Sequence, residues 1–310
     1  MSDPTTTAAN APQSATRLFD RALLAHRLDR AAKDFAQAQF LKDRVCEDML
    51  DTLAAINRDF PLALDIGARG GVFAQALANS PVASKVGLLI EADLSQAMTA
   101  QGRGAARLVM DEEALPFGDD SLNLIVSGLA LHSVNDLPGA LVQILRALKP
   151  DGLFIGALFG GETLTELRAC LMEAEIELRG GYGPRIAPFA ECPDLIDLLK
   201  RIGFAMPVVD SDRVSVSYEH PLRLMNDLKR MGESNVLIER PRTGLNRAIL
   251  LRGSELYFAR FADDEGRITA TFEIITLSGW KPHESQQKPL RPGSAKMRLA
   301  DALGVPEGKL

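Results

Sequence analysis

The stretch from Leu62 to Gly71, LALDIGARGG, constrains this chain more than any other. Leu62, Ala63, Leu64 and Ile66 are apolar with one acid, Asp65, among them, the pattern of a short buried strand. Glycines then crowd a turn at Gly67, Gly70 and Gly71, and Val72-Phe73-Ala74-Gln75-Ala76-Leu77 begins a helical pattern. Strand, glycine-rich turn and helix make the first half of a nucleotide-type βαβ unit. Glycines in such a turn let the backbone approach a ligand, and N–H groups at the helix start offer donors. Asp65 gives the floor of such a site an acceptor. Turns of this kind also occur in sheets that bind nothing, so the strands that follow decide.

A second apolar run, Lys85–Ala92, ends at Asp93. At that distance from the glycine turn, an acid closing the strand accepts hydrogen bonds from ribose hydroxyls. Asp93 is the better candidate than Glu91, and it is also placed to cap the helix starting at Gln96. A third strand, Ala106–Asp111, runs into Glu112 and Glu113. A fourth, Leu122–Val126, leads to Leu131-His132-Ser133-Val134-Asn135-Asp136. A helix over Leu137–Leu148 ends at Lys149-Pro150-Asp151-Gly152, where Pro and Gly favour a turn, and a fifth strand follows over Gly152–Leu158. Strands alternating with helices predict an α/β, doubly wound, mostly parallel sheet whose ligands sit beyond the carboxyl ends of the strands. Asp65, Gly67, Asp93, Asp111 and His132 all fall at such ends and converge on one rim.

The rest of the chain sets bounds. A formal net charge of −6 argues against general nucleic-acid binding. Cys46, Cys170 and Cys192 lie far apart, which speaks against a zinc, iron–sulfur or disulfide framework and fits a reducing cytoplasm. No apolar run is long enough to span a bilayer, and the N-terminus lacks a secretory pattern. Residues 1–16 read as a disordered tail. From Arg17 to Leu53, apolar residues at helical spacing (Leu24, Leu28, Phe35, Val45, Met49 among them) predict one or two amphipathic helices, an N-terminal extension over residues 17–58.

Taken together, the acid-x-Gly turn at Asp65, the strand-end Asp93, the MDEEALPF acids and the LHSVND and LKPDG stretches resemble a class I S-adenosylmethionine-dependent methyltransferase. The resemblance implies a seven-stranded Rossmann-like sheet and S-adenosyl-L-methionine as cofactor. It places the glycine turn, with Asp65, Gly67, Ala68, Gly70 and Gly71, against the methionine part. Asp93 would hold the ribose hydroxyls, and Asp111 with Glu112 the adenine side. One departure stands out. The usual acid-x-Gly-x-Gly-x-Gly reads Asp65-Ile-Gly67-Ala-Arg69-Gly70-Gly71 here, and Arg69 in the middle glycine position crowds the cofactor unless Gly70 takes over.

The second half narrows the family. Residues 154–168, Gly181–Phe189, Met231–Asn235 and Gly279–Gln286 resemble the methyltransferase-like assembly factor of respiratory complex I, implicated in hydroxylating an arginine of an iron–sulfur subunit, and its bacterial relatives. That resemblance runs from about Phe35 to Leu299. It implies a protein substrate, peripheral contact with a membrane-bound complex, and a mitochondrial matrix location in eukaryotes or the bacterial cytoplasm. Malonyl-carrier methyltransferases of biotin synthesis are the neighbouring family, and GESN and GWKPHESQ point away from them. A non-catalytic assembly chaperone is the rival from another class, favoured by Arg69.

The remaining segments follow from pattern. Thr163-x-x-Glu166 reads as a capping box, and the glycines and prolines of Gly180–Pro188 as a loop over the rim. Pro207–Tyr218 reads as a strand, Leu222–Lys229 and Leu245–Phe261 as helices. By resemblance, the late strand Ile268–Leu277 inserts antiparallel between the fifth and sixth. The methyltransferase-like domain then spans residues 59–285, with an insertion at about 219–265 and a C-terminal tail over 286–310. Among reactive groups, His132 is either a general base or part of the pocket wall. Trp280, His283 and Glu284 are candidate substrate contacts, although Trp280 also suits packing. His283, Glu284 and His132 have the composition of an iron site, but no spacing supports it and no metal is expected.

Overall fold

The computed structural model describes residues 17–286. The tail expected over residues 1–16 and nearly all of that expected over 286–310 lie outside the described residues. In chain order the elements are α1 (Arg21–Ala31), α2 (Phe40–Ala55), β1 (Phe60–Ile66), α3 (Val72–Ala78), β2 (Val86–Asp93), α4 (Gln96–Ala100), β3 (Ala106–Val109) and β4 (Leu122–Gly128). There follow α5 (Leu137–Ala147), β5 (Leu148–Phe159), α6 (Thr165–Arg179), α7 (Cys192–Ile202), β6 (Ala205–Tyr218), α8 (Pro221–Met231), α9 (Arg247–Phe261) and β7 (Ile268–Trp280).

The strands form one seven-stranded sheet in the order β3-β2-β1-β4-β5-β7-β6. β1 to β5 are parallel, and β7 runs antiparallel between β5 and β6. The late strand therefore inserts where the family resemblance places it. Side chains alternate across a strand, so a strand covered on both faces feeds two cores. Leu124 and Val126 of β4 join the core beneath α1, α2, α3 and α6, while Ile125 joins the core beneath α5 and α7.

Three local expectations are corrected. LKPDG does not form a separate turn: Leu148 already pairs with Leu122, and the irregularity is a register shift within β5, with Asp151 at φ 64°. The capping box at Thr163 is absent. Thr163 Oγ1 instead donates to the Glu273 carbonyl at 3.1 Å, and Glu166 accepts from the Thr271 N–H and hydroxyl, so both residues tie the start of α6 to β7. Third, most N–H groups of the glycine turn are engaged within the chain, that of Gly70 excepted. Those of Gly67 and Ala68 donate to the Ala92 carbonyl, and those of Gly71 and Val72 to the Ala68 carbonyl.

The N-terminal extension forms two helices, α1 and α2. Ahead of α1, residues 18–20 are clasped at the carboxyl rim. Asn135 Oδ1 accepts from the Leu18 and Phe19 N–H groups at 2.8 and 2.7 Å. On the other side, Asp20 N–H donates to the Val236 carbonyl and Ile238 N–H to the Leu18 carbonyl, both at 2.9 Å. The extension and the segment after α8 thus cover the rim together.

Candidate functional site: a filled cleft beside an open cavity

The rim has two parts. Over β1, β2 and β3 lie the acids of the sequence reading, and Asp93, Asp111 and Glu112 are each engaged by a cation of the chain itself. Asp93 and Arg69 are both almost wholly buried. Asp93 Oδ2 accepts from the Arg69 backbone N–H at 3.0 Å and from Arg69 Nη1 at 2.8 Å, while Oδ1 accepts from Ser95 N–H at 2.9 Å. Asp93 thus serves the turn before α4, where Ser95 is the helix cap. Arg69 sits at φ 47°, a left-handed conformation uncommon for a residue other than glycine. Burial opposes its charge, and Asp93, followed by Glu112 and Glu233, more than restores it, raising the guanidinium pKa.

Arg21, the first residue of α1, reaches Asp111 at 2.7 Å and also pairs with Glu112. Its Nη1 donates to the Ser133 carbonyl at 3.0 Å. Burial pushes the Glu112 carboxyl up against the opposing pull of Arg21 and Arg69. Lys42, buried on α2, donates from Nζ to the Gly67 carbonyl at 2.8 Å and the Gly128 carbonyl at 2.6 Å. Beneath them both carboxylate oxygens of Asp65 are buried without a partner, and burial raises its pKa to about 6 despite the nearby Lys42 charge. Two glycines are required here by close approach: a Cβ on Gly67 would collide with Ala130, and one on Gly71 with the buried Glu91 carboxylate. Ala68 is buried within the turn, and Gly70 adopts φ 75°.

Past β4 and β5 the rim opens into a cavity of about 850 Å³. Phe159, Phe189 and Phe272 form aromatic wall, and Leu167 and Leu171 of α6 add apolar surface. His132 lies here, its ring 4.8 Å from that of Phe159 and 5.9 Å from that of Phe189. A carboxylate only accepts hydrogen bonds, so His132 Nε2–H donates to Glu233 Oε2 at 3.1 Å, leaving Nδ1 buried without a partner. A carboxylate that fixes one ring nitrogen of a histidine is the pairing a general base uses. The loop Gly180–Phe189 borders the cavity and is pinned. Glu175 accepts from Gly183 N–H and Arg185, and Asn235 Nδ2 donates to the Pro184 carbonyl at 2.7 Å.

A methyltransferase-domain family profile matches residues 64–156. The zebrafish protein named arginine-hydroxylase NDUFAF5, mitochondrial, is 40% identical over 299 residues, covering 94% of this chain and 91% of its own length. The mouse protein of that name is 41% identical over 293 residues, with 93% and 84% covered. This chain belongs to the NDUFAF5 arginine-hydroxylase family. A malonyl-[acyl-carrier protein] O-methyltransferase of Halorhodospira halophila is a more distant relative, 31% identical over 269 residues, with 84% and 88% covered. A putative methyltransferase from Bacillus halodurans shares the fold at a TM-score of 0.52 and 16% identity, over 76% of this chain and 98% of that one. The family's fold and its methyltransferase domain make S-adenosyl-L-methionine the cofactor.

The rim suits that cofactor chemically. The ribose hydroxyls, adenine amino group and methionyl ammonium are hydrogen-bond donors, and Asp93, Asp111, Glu112 and the Gly67 and Gly128 carbonyls are acceptors. In this structure Arg69, Arg21 and Lys42 hold those acceptors. Asp65, Asp93, Asp111 and Glu112 of the sequence reading thus converge on one cleft, and His132 on the cavity beside it. Trp280, His283 and Glu284 do not reach either. Trp280 pairs with Leu153, the first β5 residue to pair with β7, and lies 5.4 Å from Arg58, and Lys281 N–H donates to the Gly152 carbonyl. They occupy the opposite edge of the sheet because β7 runs antiparallel, and His283 and Glu284 are exposed there. No group of His, Cys, Asp and Glu among the described residues is arranged to hold a metal ion. No described helix is long and apolar enough to cross a membrane.

Proposed function

We propose that this chain modifies an arginine side chain of a protein partner, an iron–sulfur subunit, during assembly of respiratory complex I. The observation that carries the proposal is the cavity. Glu233 offers a carboxylate, backed by His132, inside walls of Phe159, Phe189 and Phe272. A guanidinium on an apolar stem is the complement of that set, because the carboxylate pairs with the charge and the aromatic faces cover the stem. The relatives named arginine-hydroxylase, which align over nearly the whole chain, support the same substrate class.

Asp93, Asp111 and Glu112 would hold S-adenosyl-L-methionine, which supplies an activated methyl group when bound. The chain's own residues do the rest. Glu233 orients the target guanidinium or the His132 ring, His132 Nδ1 accepts a proton, and the loop Gly180–Phe189 excludes water from the cavity. Mass spectrometry of the iron–sulfur subunits from cells carrying wild type, Glu233→Gln or no copy tests the reading. One arginine should carry a mass increment in wild type that is lost in the other two, its size distinguishing a methyl group from an oxygen atom. An unchanged modification pattern in cells without the protein removes the proposal.

The filled cofactor cleft favours a second reading, an assembly factor that keeps the fold without turnover. Under it, Glu233→Gln complements an assembly defect fully and no arginine changes mass.

A further inference from the structure

We propose that a cationic groove at the mouth of the cavity docks an acidic segment of the protein substrate, adjacent in its sequence to the side chain that enters the cavity. The groove, of about 590 Å³, runs between α1 and α8 and is lined by Arg27, Arg30, Lys33, Lys229 and Arg230. Arg27, Lys229 and Ser234 line both this groove and the cavity, so the two are continuous. The proposal rests on the reading of that cavity as a substrate site.

The local sequence explains the cluster. α1 buries Leu24, Leu28 and Ala31, and α8 buries Leu224, Leu228 and Met231, which leaves their basic residues on the outer faces. The helices approach closely because Gly232, at the end of α8, makes room for Leu28. In a chain of net charge −6, this gathering of cations is a local feature and not a consequence of composition.

The cluster is only partly compensated, since five cations line the groove and three of them have no ion-pair partner among the described residues. Two acids line the groove. Asp29 is engaged elsewhere, accepting from Ser95 Oγ at 2.6 Å and Ala97 N–H at 3.0 Å, and Asp34 stands 3.8 Å from Lys33. Asp227 lies 3.4 Å from Arg230. Among the described residues Arg27, Arg30 and Lys229 enter no ion pair, and Arg27 donates only to the Asn235 carbonyl. Burial and then the charges of Arg240 and Arg30 lower the Arg27 pKa. An excess of like charges over counter-charges creates a field that steers and retains an anionic segment. Spreading of the cations along two helices suits a peptide carrying several carboxylates.

Fluorescence anisotropy on the full chain tests this with two labelled peptides. In one, a single arginine is followed by a run of glutamates; in the other, lysines replace the glutamates. The double variant Arg30→Glu, Lys33→Glu alters two exposed side chains outside the cavity, and its melting temperature reports that it is folded. Wild type should bind the acidic peptide at least tenfold more tightly than the basic one, with affinity falling steeply with salt. The double variant should lose that preference and gain affinity for the basic peptide. Equal binding of both peptides by wild type, or an unchanged preference in the variant, overturns the proposal. So does sedimentation with phosphatidylglycerol vesicles that depends on Arg30 and Lys33 while peptide binding does not, which would make the groove a membrane surface. A third peptide with alanine for arginine separates the two readings: binding that still depends on Arg30 and Lys33 keeps the docking groove and removes the arginine reading.

Discussion

Over β1 to β3, Asp93, Asp111 and Glu112 are paired with cations of the same chain, whereas past β4 and β5 the rim widens into an aromatic-walled cavity beside which His132 keeps an unpartnered nitrogen. Both regions sit at the carboxyl ends of parallel strands, so backbone topology alone does not distinguish them. The difference lies in what the N-terminal extension and the glycine turn contribute. Arg21 and Lys42 arrive from α1 and α2, and Arg69 occupies the middle position of the turn, where the class I methyltransferase pattern that the turn resembles has glycine. A cofactor entering this cleft must therefore exchange buried ion pairs for its own hydrogen bonds, while the cavity proposed for the substrate has its walls already formed.

The largest expected effect falls on the open side. Glu233→Gln keeps the shape of the side chain but removes the charge that fixes His132 Nε2. Loss of a general base and its orienting carboxylate lowers turnover by roughly 100-fold or more, with little change in melting temperature. His132→Ala should match it, and the double variant should be no worse than either single one, because the two residues act as a unit. Additive losses, measured as arginine modification per unit time, would show that they act separately.

Arg69→Ala probes the filled side. Truncating one partner of a buried ion pair leaves the other charge uncompensated, costing on the order of 3–5 kcal/mol, less whatever strain is released at φ 47°. S-adenosyl-L-methionine should restore melting temperature in the variant more than it raises it in wild type, and calorimetry should show tighter binding in the variant. Loss of binding in Arg69→Ala would instead make Arg69 a ligand for the cofactor.

The acids of the cleft were legible because each closes a strand: Asp93 and Asp111 follow apolar runs at the right distance from the glycine turn. What fills the cleft was not. The direction of the Arg69 side chain depends on a left-handed backbone angle that no periodicity reports, and Arg21 acts across 90 residues of sequence. Glu233 stood out as part of GESN, but its partnership with His132 spans 101 residues. Trp280, His283 and Glu284 carry a different lesson. An antiparallel last strand must leave the sheet at the edge opposite the rim, so their distance from the site was implicit in the topology expected for β7.

Asp65 allows a pH test of how strongly the filled side is buried. Its carboxyl is raised to about 6 by burial, against an ordinary value near 3.8. Between about pH 4 and pH 6 the unfolded chain releases this proton while the folded chain keeps it, so stability falls as pH rises and levels off above the folded value. The loss amounts to about 3 kcal/mol at about 1.4 kcal/mol per pH unit. Denaturant unfolding of Asp65→Asn across this range should lack that part of the slope. An identical slope in wild type and variant would mean that Lys42 keeps Asp65 ionised throughout.

The smallest effect is expected at the clasp that joins the two regions. Asn135 holds the Leu18 and Phe19 N–H groups, shares Glu113 through its own N–H at 2.5 Å, and so positions Arg21 over Asp111. Asn135→Ala removes hydrogen bonds worth about 1 kcal/mol each net, and the loss is local because residues 18–20 remain bonded to Val236 and Ile238. Global stability should change by about 1–2 kcal/mol, while amide exchange at Leu18 and Phe19 accelerates and that in β1 does not. If releasing the clasp also lets Arg21 leave Asp111, cofactor affinity rises without any change at Arg69, and the contrast between the two regions is set by the N-terminal extension. If affinity is unmoved, Arg69 and Lys42 maintain it without Arg21.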